Sequence, residues 1–341
     1  MRALVIHAPE DLRIEARPAG DPGPGEVRVA VERGGICGSD LHYFHHGGFG
    51  AVRLREPMIL GHEVAGRVEA VGAGVDLRAG TRVAVSPSRP CRACAFCLEG
   101  APNHCLHMRF YGSAMPFPHV QGAFREALVC DAAQCVPADD LSPEAAAMAE
   151  PLAVCLHAAR QAGDLGGRAV LVTGLGPIGQ LMVRVARRMG ADLVVGTDLA
   201  PMPLEAARRG GADAALDARE ADLEGRFGAE KGRFDALFEC SGAEAALRAA
   251  IPAIRPRGTV VQLGLGGDMR LPMQAITAKE IALKGSFRFH SEFATGVSLM
   301  AKGLLPVDDL VSEVVPLEDA VAGFGRAGDR GRVVKAQIAF G

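Results

Sequence analysis

The chain reads as an α/β protein of two parts, a β-rich domain and a doubly wound parallel-sheet domain. Three observations predict this. Residues 1 to about 150 consist of short alternating runs broken by Gly and Pro. From about residue 150, strand-like apolar runs alternate with helical stretches, the pattern of a parallel sheet with helices on both faces. The tail then returns to period-two alternation and is expected to rejoin the first part, which makes the parallel-sheet domain an insertion. The expected boundaries are 1–150 and 290–341 for the β-rich domain and 151–289 for the parallel-sheet domain.

Taken in order, Met1-Arg-Ala-Leu-Val-Ile-His-Ala-Pro9 is a strand-like start without the long apolar core of a signal peptide. Glu26-Val-Arg-Val-Ala-Val-Glu32 and Val64-Ala-Gly-Arg-Val-Glu-Ala-Val71 alternate with period two, as half-buried strands do. Ala169-Val-Leu-Val-Thr173 is a continuous apolar run that fits a buried strand. Pro177 to Met189 has helical periodicity, and Leu193-Val-Val-Gly-Thr197 is strand-like again. Further strand runs lie at Phe234–Phe238 and Thr259–Leu263, and Val333–Ala339 closes the pattern.

Composition narrows the function classes. Hydrophobic residues are 49% and charged residues 23%, as in a soluble globular protein. The formal net charge of −3 gives no electrostatic reason to expect nucleic acid as a partner. No stretch approaches the ~18 uninterrupted apolar residues of a membrane span. Nine cysteines in a chain without a secretory signal point to a reducing, cytoplasmic setting.

Four of those cysteines, Cys91, Cys94, Cys97 and Cys105, sit in the pattern C-x2-C-x2-C-x7-C. Thiols this close on a loop can surround one tetrahedral ion, and Zn²⁺ is the metal such a set favours. Unrelated cysteines do not cluster at two-residue gaps, and a disulfide framework does not suit this setting. A closed four-thiolate site offers no position to a substrate, so it is a structural staple and the chemistry lies elsewhere.

Gly174-Leu-Gly176-Pro177-Ile178-Gly179 follows a strand run and opens a helix. G-x-G-x-x-G alone is a weak signal in a Gly-rich chain, but here it has its required context. Such glycines let backbone N–H groups approach a pyrophosphate at a helix N-terminus. Asp198 ends the next strand run, about 20 residues on, where an acidic side chain accepts hydrogen bonds from ribose hydroxyls. It would repel a 2′-phosphate, and Leu199, Ala200 and Pro201 bring no cation. NAD is therefore expected over NADP.

Cys37, His62, Glu63 and Glu150 are isolated in sequence, but together they make a set of S, N and O donors that could hold an open Zn²⁺ site. The plain alternative for each is an ordinary core residue. Cys130, Cys135, Cys155 and Cys240 read as small apolar residues, and His45 and His46 as loop residues.

The motifs CGSDxH at 37–42, GHE at 61–63, the four-cysteine loop, GLGPIG and the following Asp occur in one order over nearly the whole chain. The combination resembles the zinc-dependent medium-chain alcohol and polyol dehydrogenases. That resemblance implies a GroES-like β-rich catalytic domain around a Rossmann domain, and NAD(P)-linked oxidation of an alcohol to a carbonyl. Two Zn²⁺ per chain follow, one on the four cysteines and one catalytic. Cys37 and His62 match the catalytic ligands, and Glu63 and Glu150 both match carboxylates at that site in an order the sequence leaves open. Ser39 and His42 match a proton relay, and Tyr43 a pocket-lining aromatic. Gly34–Tyr43, Met108–Met115 (MRFYGSAM), Phe117–Val120 and Gly285–Phe289 look like the L-idonate 5-dehydrogenase branch. A sugar-acid substrate needs a partner for its carboxylate, and Arg288 and Arg109 are the candidates. The alternatives are a neutral polyol dehydrogenase of the sorbitol or xylitol type, and a non-catalytic zinc-binding interaction protein. The family also implies a homo-oligomer, a tetramer or dimer.

Overall fold

The computed structural model describes residues 1–341. The chain forms two compact units. The first comprises Met1–Glu150, Phe293–Asp329 and Lys335–Gly341, the second Pro151–Glu292 and Arg330–Val334. The tail thus joins the first unit at Phe293, and it goes back to the second unit over Arg330–Val334, a detour no sequence pattern announced.

The main sheet of the first unit has seven strands. Its order is Cys135–Pro137, Arg82–Val85, Glu63–Val71, Glu26–Gly35, Lys335–Ala339 and Val311–Pro316, with Ala127–Asp131 also pairing to Glu26–Gly35. Glu26–Gly35 is the hub. Glu63–Val71 runs antiparallel along one edge, and two strands share the other. Ala127–Asp131 takes Glu26–Ala30, and Lys335–Ala339 takes Arg33–Gly35. The alternation read in the sequence has its physical cause here: Val27, Val29 and Val31 are buried while Arg28 and Ala30 between them stay partly exposed. The strand expected from Val333 begins at Lys335.

The second unit carries six parallel strands in the order Ala214–Asp217, Leu193–Asp198, Ala169–Thr173, Phe234–Glu239, Ile254–Gln262, Ala282–Gly285. Ala169–Thr173 is buried along its whole length, which is why it reads as an unbroken apolar run. The strand order reverses between Ala169–Thr173 and Phe234–Glu239. At such a switch point a crevice opens beyond the carboxyl ends of the strands. The helix Pro177–Arg188 starts there. Gly176 is its N-cap and Pro177 its first residue, where a missing N–H costs nothing. Leu181, Met182, Val185 and Ala186 bury its apolar face, and Arg187 and Arg188 end it where the helix dipole favours cations.

Candidate active site

In the first unit, Cys37 caps the helix Gly38–His46. Asp40, three residues on, is fully buried and binds in two directions. Its Oδ2 accepts from Cys37 N–H at 3.0 Å, and its Oδ1 accepts from Gly61 N–H at 3.2 Å. One carboxylate thereby ties the turn carrying Cys37 to the turn carrying His62. Gly61 has φ +91°, and a Cβ there would run into the Phe124 ring, so only glycine serves. His62 and Glu63 follow at the start of Glu63–Val71, both buried. Glu63 pairs with Gly35 on the hub strand. The missing Cβ of Gly35 leaves room for the Glu63 carboxylate and for the Lys335 side chain.

The donor atoms of Cys37, His62 and Glu63 all lie within 4.8 Å of one another. Glu150, in the first turn of the helix Ala149–Ala162, is buried but falls outside this close set. Burial pushes its carboxyl up to about 8; His62 pulls it down, and the Glu63 and Cys37 charges add to the rise. Desolvation, with Glu63 behind it, pushes the Cys37 thiol up to about 12. Lys335 is the one cationic side chain built into the group. It is 1% exposed, ion-paired to Glu63, and donates to the Ile36 carbonyl at 2.9 Å.

The group fits a metal ion on an observation independent of motif. The buried His62 Nδ1 has no hydrogen-bond partner, and Asp40 Oδ1 is 3.7 Å from it. A buried imidazole nitrogen left without a partner is costly unless a ligand takes it up. The four cysteines also converge, and none of the nine cysteines is disulfide-bonded. Backbone N–H groups point at their sulfurs: Cys91 and His107 donate to Cys105 Sγ at 3.1 and 3.3 Å, and Cys94 donates to Cys91 Sγ at 3.3 Å. N–H donation from Cys97 and Leu106 holds the Cys94 thiol down to about 6, as suits a metal-binding thiolate.

The remaining first-unit candidates separate. Ser39 sits in the first turn of the helix Gly38–His46, and its side chain opposes the rise of the Cys37 thiol. His42 lies one turn further along the same helix, partly exposed, with its ring 6.0 Å from Phe49. Tyr43 is buried and its Oη accepts from Ala114 N–H at 3.0 Å, which anchors the Met108–Met115 stretch. Arg109 is exposed on a two-residue ribbon strand, Arg109–Phe110. Its neighbour Phe110 is buried with its ring 5.7 Å from His62. Successive side chains of a strand face opposite ways, so Arg109 points away from His62. His45 and His46, expected in a loop, instead form the last turn of the helix, where cations are favoured.

In the second unit, the glycine-rich turn is held tightly. Gly174 has φ +80°, and a Cβ there would meet Ser241 at 2.7 Å. Gly179 packs against the Gly174 carbonyl with no room for a side chain. Asp198 closes the turn from the next strand: Oδ2 accepts from Leu175 N–H at 2.7 Å, and Oδ1 from Leu199 and Ala200 N–H at 2.7 and 3.0 Å. A cavity of about 450 Å³ lies beside it, lined by Gly174, Asp198, Leu199, Ser241 and a set of alanines. Arg330 lines it too. The local reading found no cation near Asp198 because this one arrives from the far end of the chain. Glu239 was also missed. It is fully buried at the end of Phe234–Glu239 and accepts from Ser241 N–H, Gly242 N–H, Gln262 Nε2 and the Ser241 hydroxyl. It fixes the turn that faces Gly174. Arg288 sits in this unit with φ +55°, its guanidinium 4.8 Å from the centre of the Phe287 ring.

Comparison with known proteins agrees with both units. Residues 23–140 match the alcohol dehydrogenase GroES-like domain, and residues 177–302 match the zinc-binding dehydrogenase family. The chain is 43% identical over 314 residues to the L-idonate 5-dehydrogenase (NAD(P)(+)) of Escherichia coli strain K12, covering 92% of this chain and 91% of that one. It is 37% identical over 332 residues to human sorbitol dehydrogenase, covering 94% and 91%. The crystal structure of an E. coli K-12 L-idonate 5-dehydrogenase superposes with a TM-score of 0.95 at 40% identity, covering 99% of this chain and 97% of that one. No helix is long and apolar enough to cross a membrane.

Proposed function

Because the chain belongs to the zinc-dependent medium-chain alcohol dehydrogenase family, we propose that it oxidises a secondary hydroxyl of a sugar acid with NAD, L-idonate to 5-dehydro-D-gluconate being the leading reaction. The observation that carries this reading is 43% identity to a named L-idonate 5-dehydrogenase over 92% of the chain. The three-donor group of Cys37, His62 and Glu63 supports the chemistry. Zinc bound there would supply Lewis acidity toward the substrate oxygen, and NAD would supply the hydride acceptor. A second ion would be held by Cys91, Cys94, Cys97 and Cys105, which makes two per chain.

The chain's own residues do the rest. Asp40 holds the Cys37 and His62 turns in register. Lys335 offsets the Glu63 charge and keeps that carboxylate in place. Glu150, outside the close set, is assigned to hydrogen-bond the substrate hydroxyl or a water entering the site. Ser39 and His42 lie three residues apart on one helix face and carry the released proton outward. The Ser39 hydroxyl takes the proton as it gives up its own to His42, and the imidazole passes it to water. Tyr43 shapes the pocket through its hold on Ala114. Arg288 is assigned to the substrate carboxylate or a hydroxyl.

For the cofactor, Asp198 is held by three backbone N–H groups and presents its remaining lone pairs to a ribose, which favours NAD. The soluble setting is proposed as cytoplasmic and the assembly as a homo-oligomer. A second reading, a neutral polyol dehydrogenase, is favoured by 37% identity to human sorbitol dehydrogenase. Initial rates of NADH formation with L-idonate, sorbitol, xylitol and L-threonine test the two. A kcat/KM on sorbitol above that on L-idonate would replace the first reading with the second.

A further inference from the structure

A second cavity, of about 360 Å³, opens at the other end of the parallel sheet. It lies at the amino ends of Ala169–Thr173, Phe234–Glu239 and Ile254–Gln262, and Asp164, Arg168, Asp235, Arg255 and Arg257 line it. The glycine-rich turn is at the carboxyl end of the same strands. Arg168 and Gly174 flank the five-residue strand Ala169–Thr173 and stand roughly 20 Å apart. Three guanidiniums meet in this cavity, and Asp235 serves two of them. Its Oδ1 is 3.0 Å from Arg168 Nη1 and 2.7 Å from Arg255 Nε, while its Oδ2 accepts from Ala169 N–H at 2.9 Å. Asp164 turns to its own loop, where it accepts from Gly166 N–H at 3.0 Å. Arg257 is exposed and has no carboxylate partner.

The backbone presents these arginines by an irregularity. Two steps along one strand, from Phe234 to Ala236, are matched by five along its neighbour, from Ile254 to Thr259. The excess chain, Arg255-Pro256-Arg257-Gly258, bulges out of the ladder and carries two of the three arginines to the cavity. At Gly258 a Cβ would meet the Ile254 side chain at 2.5 Å. Arg257 has φ +62°, a left-handed conformation that glycine adopts freely and a residue with a side chain adopts at a cost. Its N–H is pinned by the Lys279 carbonyl at 2.7 Å. The fold thus strains its backbone to hold an unpaired positive charge beside two others, and observed strain of this kind points to a binding position. We propose that this cavity binds the phosphate group of a small phosphorylated molecule, with Arg257 as the main contact and Arg168 and Arg255 beside it. A dianionic phosphate offsets the surplus charge, and each guanidinium fork matches two of its oxygens. The single carboxylate of Asp235 fixes two of the forks and leaves them N–H groups to spare. The volume is that of a small-molecule site, with more room than a lone phosphate fills. Occupancy here does not compete with a dinucleotide, and the inference does not draw on the dehydrogenase reading.

The test is calorimetric titration of zinc-loaded wild type and Arg257→Gly with glucose 6-phosphate, inorganic phosphate and glucose, each with and without saturating NADH. Wild type should take up glucose 6-phosphate and not glucose, and NADH should leave that binding unchanged. Arg257→Gly should weaken it by roughly 10- to 150-fold, the range for a lost charged hydrogen bond. Glycine relieves the left-handed strain, so the ligand-free variant should melt at or above wild type. A variant that is no less stable and yet fails to bind is the signature of a ligand contact. Tighter binding of glucose 6-phosphate than of inorganic phosphate assigns the site to a phosphate ester, and equal binding assigns it to free phosphate. Wild type that binds neither phosphate probe would overturn the inference, as would Arg257→Gly that binds within about twofold of wild type. Loss of binding in the presence of NADH would move the phosphate to the glycine-rich turn and overturn it too. Arg257→Gly melting well below wild type would make Arg257 a structural residue and refute its assignment to a ligand.

Discussion

Replacing Lys335 by Met removes one charge from the centre of the first unit and keeps most of the volume. In the native protein Lys335 and Glu63 are each 1% exposed at the side chain and paired with each other. Cys37 and Glu150 stand beside Glu63 and carry no positive charge to replace the lysine. Lys335→Met therefore leaves a carboxylate buried among acidic neighbours and also frees the Ile36 carbonyl. Breaking a buried pair from one side costs about 3–5 kcal/mol. For a unit in this size range, each kcal/mol shifts Tm by about 2–4 °C, so the metal-free variant should melt about 6–20 °C below metal-free wild type. The double variant Lys335→Met with Glu63→Gln should regain part of that loss, because no charge is then left unpaired. Zinc should also restore stability to Lys335→Met, since a divalent cation held by Cys37, His62 and Glu63 offsets the same carboxylate. Scanning calorimetry of chelator-treated and zinc-loaded samples reads all three. A metal-free Lys335→Met that melts within about 2 °C of wild type would refute the pairing as a stabilising element.

Further outcomes follow from the other sites. Cys94→Ser should lose one zinc and damage folding or assembly, whereas Cys37→Ser should stay folded and inactive; elemental analysis finding no more than one zinc in fully active protein would contradict two sites. Asp198→Ala with Leu199→Arg should move the ratio of kcat/KM values toward NADP⁺, and a wild type that already prefers NADP⁺ would show that the Asp198 carboxylate does not decide the choice. Arg288→Ala should lower kcat/KM for L-idonate by roughly 10- to 150-fold. A smaller loss on sorbitol, which has no carboxylate, assigns Arg288 to the acid group, and an equal loss assigns it to a shared hydroxyl.

What could be read from the sequence was what local pattern encodes. Val27, Val29 and Val31 advertise a half-buried strand, and Ala169–Thr173 a fully buried one, because burial on one or both faces writes itself into neighbouring residues. The four cysteines and the GLGPIG turn were legible because each site is built within a few residues. Ala214–Asp217 and Ala282–Gly285 went unseen: each has four residues, and the second is exposed along its length, so neither carries a period. The supporting residues were hidden for a different reason. Asp40 could have been noticed, since an acid three residues after a helix N-cap is a capping signal. Lys335 breaks an apolar strand run, which is itself a sign of a buried partner, but nothing local says that the partner is Glu63. Arg330 and Glu239 come near the glycine-rich turn only because the fold brings distant segments together, and no spacing records that.

The seating of Lys335–Ala339 on the hub strand bears on the order in which the protein is made. Lys335 bonds to Ile36 across 299 residues of sequence, a contact that a growing chain cannot form early. Domains tend to fold as units while synthesis proceeds, and the whole parallel-sheet unit, Arg330–Val334 included, emerges before this strand does. Until the strand arrives, the edge of Glu26–Gly35 at Arg33–Gly35 is an open ladder, and Glu63 waits beside Cys37 without its cation. A nascent chain is thus able to assemble its second unit first and to complete the three-donor group only near release, so the last strand acts as the latch on the metal centre.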